Sequence, residues 1–196
     1  MRDQGLLAYP TETVYGFGGL AEPAALSRLE RLKPRHGKMG FLLLLPDAEA
    51  APELAWSPVA RSLAEAFWPG PLTLVLQDPE GRFPPPARSP EGTVAVRVSP
   101  HPLTRALVEA LGAPLTSTSA NPPGTAPAVT GAEALEAGRA LGAGRELWVL
   151  DQGRLAPRPS STILDVSGAV PRVRREGALK LQRIYEILTE IDERTD

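Results

Sequence analysis

Proline decides how long any regular element of this chain can run. Twenty-two prolines and eighteen glycines stand among its 196 residues. Proline lacks an amide donor and fixes φ, so a regular run ends at it or begins beside it. Pro10 closes the apolar run Leu6–Tyr9, which reads as a buried strand. Pro34 closes Ala24–Lys33, where Leu26, Leu29 and Leu32 mark a helix face. Ser57-Pro58 and Ser99-Pro100 each set an N-cap residue before a first-turn proline and predict helices to about Phe67 and to Gly112. Thr130 with Glu133 forms a capping box, and Leu181, Ile184, Leu188 and Ile191 mark a last amphipathic helix. Strands are predicted at Phe41–Leu45, Leu72–Leu76, Thr93–Val98, Leu115–Ser119, Glu146–Leu150, Thr162–Val166 and Val170–Arg175. Thr11–Gly19, glycine-rich and aperiodic, reads as a loop. Asp78–Glu91, with five prolines, reads as a surface loop.

Strands and helices intermix, and no repeat or linker divides the chain. Several neighbouring strands have no helix between them. The pattern predicts one α/β (α+β) domain over residues 1–196, with a mixed or antiparallel-rich sheet rather than a doubly wound one. Twenty-one basic against 23 acidic residues give a net charge of −2, which excludes a protein that holds nucleic acid by bulk positive charge. There is no cysteine, so disulfides, zinc–thiolate centres and cysteine nucleophiles are excluded. His36 and His101 are too few for a multi-histidine metal site. No apolar run reaches the length of a membrane span, and Met1–Gly5 lacks signal-peptide features, so the cytoplasm is the expected location.

Three stretches carry chemistry. Lys33-Pro34-Arg35-His36-Gly37-Lys38 gathers three cations where a helix stops. A planar guanidinium beside compact ammonium groups suits a polyanion, although a solvated basic turn has the same composition. Thr116-Ser117-Thr118-Ser119-Ala120-Asn121 ends a strand with four hydroxyls and an amide. Alternation sets Ser117 and Ser119 on one face; such a strand end can bind phosphate, ribose or an amino acid, or simply form an Asx-type turn. Pro10-Thr11-Glu12-Thr13-Val14-Tyr15-Gly16-Phe17-Gly18 is neither a Walker loop nor a dinucleotide fingerprint. Its Glu12 could serve as general base, metal ligand or structural acceptor. Arg97, between Val96 and Val98 on a strand, needs an anionic partner if both faces are buried; a structural ion pair would meet that need as well as a substrate. Alternation places Arg172 and Arg174 on one strand face and Arg175 on the other.

Taken together, the chain resembles the YrdC-like family of threonylcarbamoyl-adenylate synthases. The resemblance rests on Tyr9–Gly16, Lys33-Pro34-Arg35, Pro69–Thr73, Val94–Val98, Ser119-Ala120-Asn121 and Pro159–Thr162, in that order. It implies a twisted mixed sheet curled around a large concave cleft, in the short single-domain form. It implies synthesis of threonylcarbamoyl-AMP and pyrophosphate from L-threonine, bicarbonate or carbon dioxide, and ATP with Mg2+. Partner proteins would then move the threonylcarbamoyl group to tRNA. By the same resemblance Lys33 and Arg35 are the catalytic cations on phosphate or carbonate, with Lys38 helping. Thr93, Ser119, Asn121 and Arg175 are expected at the nucleotide. Thr11, Thr13, Arg97, Ser117 and Ser161 are expected at threonine, with Arg97 on its carboxylate. No protein ligand to the metal is assigned.

The sequence departs from the family in places. His36 stands where proline is usual, Met39-Gly40-Phe41 replaces a proline-containing strand entry, and Phe41–Leu45 holds no substrate-contacting histidine. Two other functions fit the same features: a nucleotide-binding paralogue with another carbamoyl-type reaction, and a non-catalytic RNA-binding module, for which the −2 charge allows only weak RNA binding.

Overall fold

Alternate residues along the strands bury toward two different sets of neighbours, and this period of two organises the molecule. The computed structural model describes residues 5–34, 39–156 and 158–193. In chain order the main elements are β1 (Leu6–Pro10), β2 (Tyr15–Gly18), α1 (Pro23–Leu32), β3 (Leu42–Leu44), α2 (Pro58–Phe67), β4 (Leu72–Gln77) and β5 (Thr93–Arg97). They continue with α3 (Pro102–Leu111), β6 (Leu115–Ser119), α4 (Gly131–Ala140), β7 (Leu147–Val149), β8 (Thr162–Asp165), β9 (Arg172–Arg175) and α5 (Leu181–Glu193). The strands form one sheet in the order β7-β1-β2-β6-β3-β5-β4-β8-β9. The β1/β7, β3/β5 and β4/β8 ladders are parallel and the others antiparallel, as the scarcity of intervening helices predicts.

On one face, Leu6, Ala8, Phe17, Leu43, Val94, Val96, Leu72, Leu74 and Leu164 join Leu26 and Leu29 of α1, Leu63 of α2, Ala134 of α4 and Ile184 of α5 in the main core. On the other, Leu7, Tyr9, Leu44 and Leu115 lie under Val108 of α3. Beyond α3 this second face carries a smaller apolar patch, Val75, Ala95 and Ile163 with Met39 and Leu42. The uncovered part of the second face is the candidate site.

Ser57 caps α2 as expected, its Oγ accepting from the Ala60 amide at 3.1 Å. The capping box also forms: Thr130 Oγ1 accepts from the Glu133 amide at 3.1 Å, and Glu133 Oε2 accepts from the Val129 amide at 2.8 Å. Three expectations are corrected. Thr11–Gly19 is not all loop, because β2 pairs antiparallel with β1 through Leu7↔Gly18 and Pro10↔Tyr15. Its glycines serve close approach rather than turning: a Cβ on Gly18 would lie 1.7 Å from the Thr116 carbonyl oxygen. Ser99 does not cap α3, which begins two residues later with His101 as N-cap and Pro102 in the first turn. The proline-rich segment 78–91 is packed down in part. Phe83 and Ala87 are buried, the Asp78 carboxylate accepts from the Arg82 and Phe83 amides, and the Pro86 carbonyl accepts from the Phe41 amide. No described helix is long and apolar enough to cross a membrane.

Candidate functional site

The second sheet face is polar where α3 leaves it open, and it gathers residues from positions 11 to 175. Thr11, Thr13, Arg97, Ser117, Ser119, Ser161 and Arg175 all line one cavity. Its apolar floor is Met39, Leu42, Ala95 and Ile163. Period-two alternation accounts for Ser117 and Ser119 of β6 facing it together.

At one end, Lys33, just past α1, donates from Nζ to the Asn121 carbonyl at 2.6 Å and to Asn121 Oδ1 at 3.2 Å. Ser119 Oγ donates to the same Oδ1 at 2.6 Å, and Asn121 Nδ2 donates to the Thr125 carbonyl at 2.6 Å. A cation, a hydroxyl and an amide from two distant segments thus form one knot at the end of β6. Arg35 and Lys38, expected beside Lys33, lie outside the described residues.

At the floor, Arg97 Nη1 donates to Glu12 Oε1 at 2.7 Å, with the two side chains only 4% and 9% exposed. Ser99 Oγ donates to Glu12 Oε2 at 2.6 Å. Of the roles open to Glu12, the structure fills that of acceptor: both oxygens are engaged. The anionic partner that Arg97 requires is therefore present within the chain. His101, behind this clamp, has a buried Nδ1 with no hydrogen-bond partner, and burial, partly offset by the Glu12 charge, holds its pKa below the ordinary 6.5.

Arg175 donates from Nε and Nη2 to the Ser161 carbonyl at 3.2 and 2.9 Å. Partial burial, and after it the charge of Arg97, lower its pKa from the ordinary guanidinium value. Arg97, paired with Glu12, and Arg175, hydrogen-bonded to a carbonyl, line one cavity, which gives an anion cationic donors to meet there. Thr73 Oγ1 and Ser161 Oγ are hydrogen-bonded at 2.9 Å, and Thr11 Oγ1 and Thr13 Oγ1 at 3.1 Å. Thr73 and Ser160 also line the cavity and carried no role in the sequence reading. Their signal was present, since Thr73 is a hydroxyl two positions from Val75 on the same strand face.

Thr93 is not in this cavity. It lines an adjoining one with Met39, Val75, Glu91, Asp165 and Arg174, and its hydroxyl is hydrogen-bonded to Ser89 Oγ at 2.8 Å. The expected facing of the β9 arginines is also corrected. Arg174 and Arg175 both reach this sheet face, because the β8/β9 register shifts between Ile163 and Leu164.

Asp165 accepts from Arg174 Nη2 at 2.6 Å and from Ser167 Oγ at 2.6 Å. Burial pushes its pKa up, but the Ser167 hydrogen bonds and then Arg174 outweigh it, so the carboxyl titrates below its ordinary 3.8. A lowered folded-state pKa stabilises the protein fully above the unfolded value, and that contribution is lost as pH falls through the folded one. Between pH about 4 and about 2 the urea midpoint of the wild type is therefore expected to fall further than that of Asp165→Asn. Equal losses in both would remove Asp165 as a source of the acid sensitivity.

A family model described as "Telomere recombination" (Sua5_yciO_yrdC) matches residues 1–177. A protein of Chromohalobacter salexigens named threonylcarbamoyl-AMP synthase is 43% identical over 136 residues, covering 68% of this chain and 73% of its own. One of the same name from Thiobacillus denitrificans is 40% identical over 173 residues, covering 85% of this chain and 87% of its own. Among solved structures, P. abyssi Sua5 complexed with L-threonine superposes with a TM-score of 0.84 at 31% identity over 95% of this chain. The chain spans about half, 54%, of that Sua5 chain.

Proposed function

The chain belongs to the Sua5/YciO/YrdC family, and from that premise we propose that it is a threonylcarbamoyl-AMP synthase. Its substrates are L-threonine, ATP and bicarbonate or carbon dioxide, and its products threonylcarbamoyl-AMP and pyrophosphate. One observation carries the reading. A hydroxyl-lined cavity holds Arg97 and Arg175, and Ser119 on its wall ties it to Asn121, which Lys33 holds.

The neutral threonine amine attacks carbon dioxide: the C–N bond forms as one C=O π pair moves onto oxygen, and a proton passes from nitrogen to solvent water, leaving an N-carboxylate. A carboxylate oxygen then attacks the α-phosphorus of ATP in line, and the bond to the bridging oxygen breaks as pyrophosphate leaves. Carboxylate and triphosphate repel, so the site must supply fixed cations and donors where charge gathers. In this reading Lys33, with Arg35 and Lys38, meets the phosphates. Ser119 and Asn121 contact the nucleotide, joined by Thr93 from the adjoining cavity and by Arg175. Arg97 takes the threonine carboxylate, and Thr11, Thr13, Ser117 and Ser161 take the rest of the amino acid. Glu12 is not the base, since both its oxygens are held.

No protein ligand to magnesium is assigned in this reading. Among the described residues no three carboxylate or imidazole groups converge, and Glu12 is engaged. The ion enters as the counter-ion of the ATP substrate, and no step passes through a protein ligand to it. The product then goes, in the cytoplasm, to proteins that transfer the threonylcarbamoyl group to tRNA, with any direct contact between this chain and RNA being weak.

The test is pyrophosphate release by the purified protein with ATP, magnesium and bicarbonate, with and without L-threonine. Threonine-dependent release is expected. ATP binding without release would leave a paralogue with another carbamoyl-type reaction. Salt-sensitive RNA binding without ATP binding would leave an RNA-binding module.

A further inference from the structure

We propose that Glu12 is a positioning residue that sets the direction of the Arg97 guanidinium and thereby the affinity of the cleft for an amino-acid carboxylate. The proposal rests on the functional reading above. Glu12 lies in the turn between β1 and β2, and Arg97 ends β5. Oε1 takes the Arg97 Nη1 hydrogen bond at 2.7 Å, and Oε2 takes that of Ser99 Oγ at 2.6 Å. Ser99 is itself fixed, its Oγ accepting from the His101 amide at 3.2 Å. A carboxylate held at both oxygens cannot swing away, so it restrains the end of the guanidinium it touches.

Charge and direction make opposite predictions here. Glu12 cancels most of the Arg97 charge, so removing it should strengthen the attraction of the cleft for an anion. It also aims the remaining donors of Arg97, so removing it should weaken a directional bond. The structure favours direction, because the cleft has a second cation for attraction. Among the described residues Arg175 donates to a neutral carbonyl, that of Ser161, and it lines the same cavity. Arg175 supplies net charge, and the clamped Arg97 supplies a planar fork to orient the carboxylate.

The test is calorimetric titration with L-threonine, together with KM for ATP and thermal unfolding of each variant. Glu12→Gln is expected to weaken threonine binding by about tenfold, or roughly 1.4 kcal/mol. Ser99→Ala, which frees one Glu12 oxygen without removing a charge, is expected to weaken it by about threefold. KM for ATP should stay unchanged in both. In an Arg97→Ala background, Glu12→Gln should add no further loss in kcat/KM for threonine, since its effect passes through Arg97. Tighter threonine binding by Glu12→Gln would make Glu12 a damper of charge and overturn the proposal, as would an added loss without Arg97. If Glu12→Gln does not fold, unchanged affinity in Ser99→Ala overturns it. A wild type that binds ATP but no threonine overturns the functional reading and the proposal with it; a wild type that binds threonine as well as both variants do overturns the proposal alone.

Discussion

Replacing Lys33 by alanine is expected to cut threonine-dependent pyrophosphate release by about a hundredfold or more, while the protein stays folded. Lys33 Nζ sits on the carbonyl and side-chain oxygens of Asn121, and Ser119 bonds to the same side-chain oxygen. Its removal takes a fixed positive charge from the knot and leaves Asn121 to Ser119 and the Thr125 carbonyl. The stability cost is that of charge-assisted hydrogen bonds in a partly buried place, about 1.5–3 kcal/mol. At this chain length that lowers the melting temperature by several degrees, about 2–4 °C per kcal/mol, and assays well below the transition remain valid. Lys33→Arg should not rescue, because a planar fork does not reproduce one ammonium over two oxygens of the same residue. Near-normal turnover in a folded Lys33→Ala protein would remove the lysine from the chemistry.

Arg97→Ala is expected to have the larger effect on stability. It leaves the Glu12 carboxylate, 9% exposed, with Ser99 alone to hold it among the described residues. Removing one member of a buried pair costs about 3–5 kcal/mol, most of it the uncompensated charge that remains. Adding Glu12→Gln to Arg97→Ala should therefore restore most of the lost stability and none of the lost threonine binding. Urea unfolding of the two proteins checks the first part, and titration with threonine the second. The exposed pair Arg105–Glu109, 3.7 Å apart with side chains 47% and 57% exposed, gives the contrast. Breaking it should cost under about 1 kcal/mol. If Arg97→Ala costs no more than that, the clamp is not what holds this end of the sheet.

The strands and caps that were legible in the sequence are those whose signal is local. Leu72–Gln77 and Leu115–Ser119 are continuous runs between turn residues, and Ser57-Pro58 states its helix start within two positions. Legibility failed where the reason lay elsewhere in the chain. Gly16 and Gly18 looked like loop residues because glycine favours turns, yet they sit in a strand pressed against Ser117 and the Thr116 carbonyl. Ser99 looked like a cap until Glu12, 87 positions earlier, claimed its hydroxyl. A strict alternation put Arg175 on the wrong face of β9, because a register shift in β8/β9 leaves no trace in composition. The candidate site followed the same rule. Lys33, Ser119 and Asn121 could be singled out one by one, but that they hold one another is a property of the fold. The partner of Arg97 was deducible as a need and not as a residue.

The strand order also governs how the chain reaches its native state. Leu6 pairs with Leu147 and Leu72 with Thr162, so edges made early wait for partners made late. Loop closure must precede those contacts, which sets folding in the slow range of milliseconds to seconds typical of non-local sheets. During synthesis at about 5–20 residues per second, the β8 side of β4 stays open for the ninety positions between Leu72 and Thr162, on the order of five to twenty seconds. An open apolar edge of that kind invites pairing with another chain. The cleft, which needs both Thr11 and Arg175, is complete only after that wait has ended. Binding competence therefore comes after the β4 edge is covered, with the β8/β9 ladder that seats Arg175.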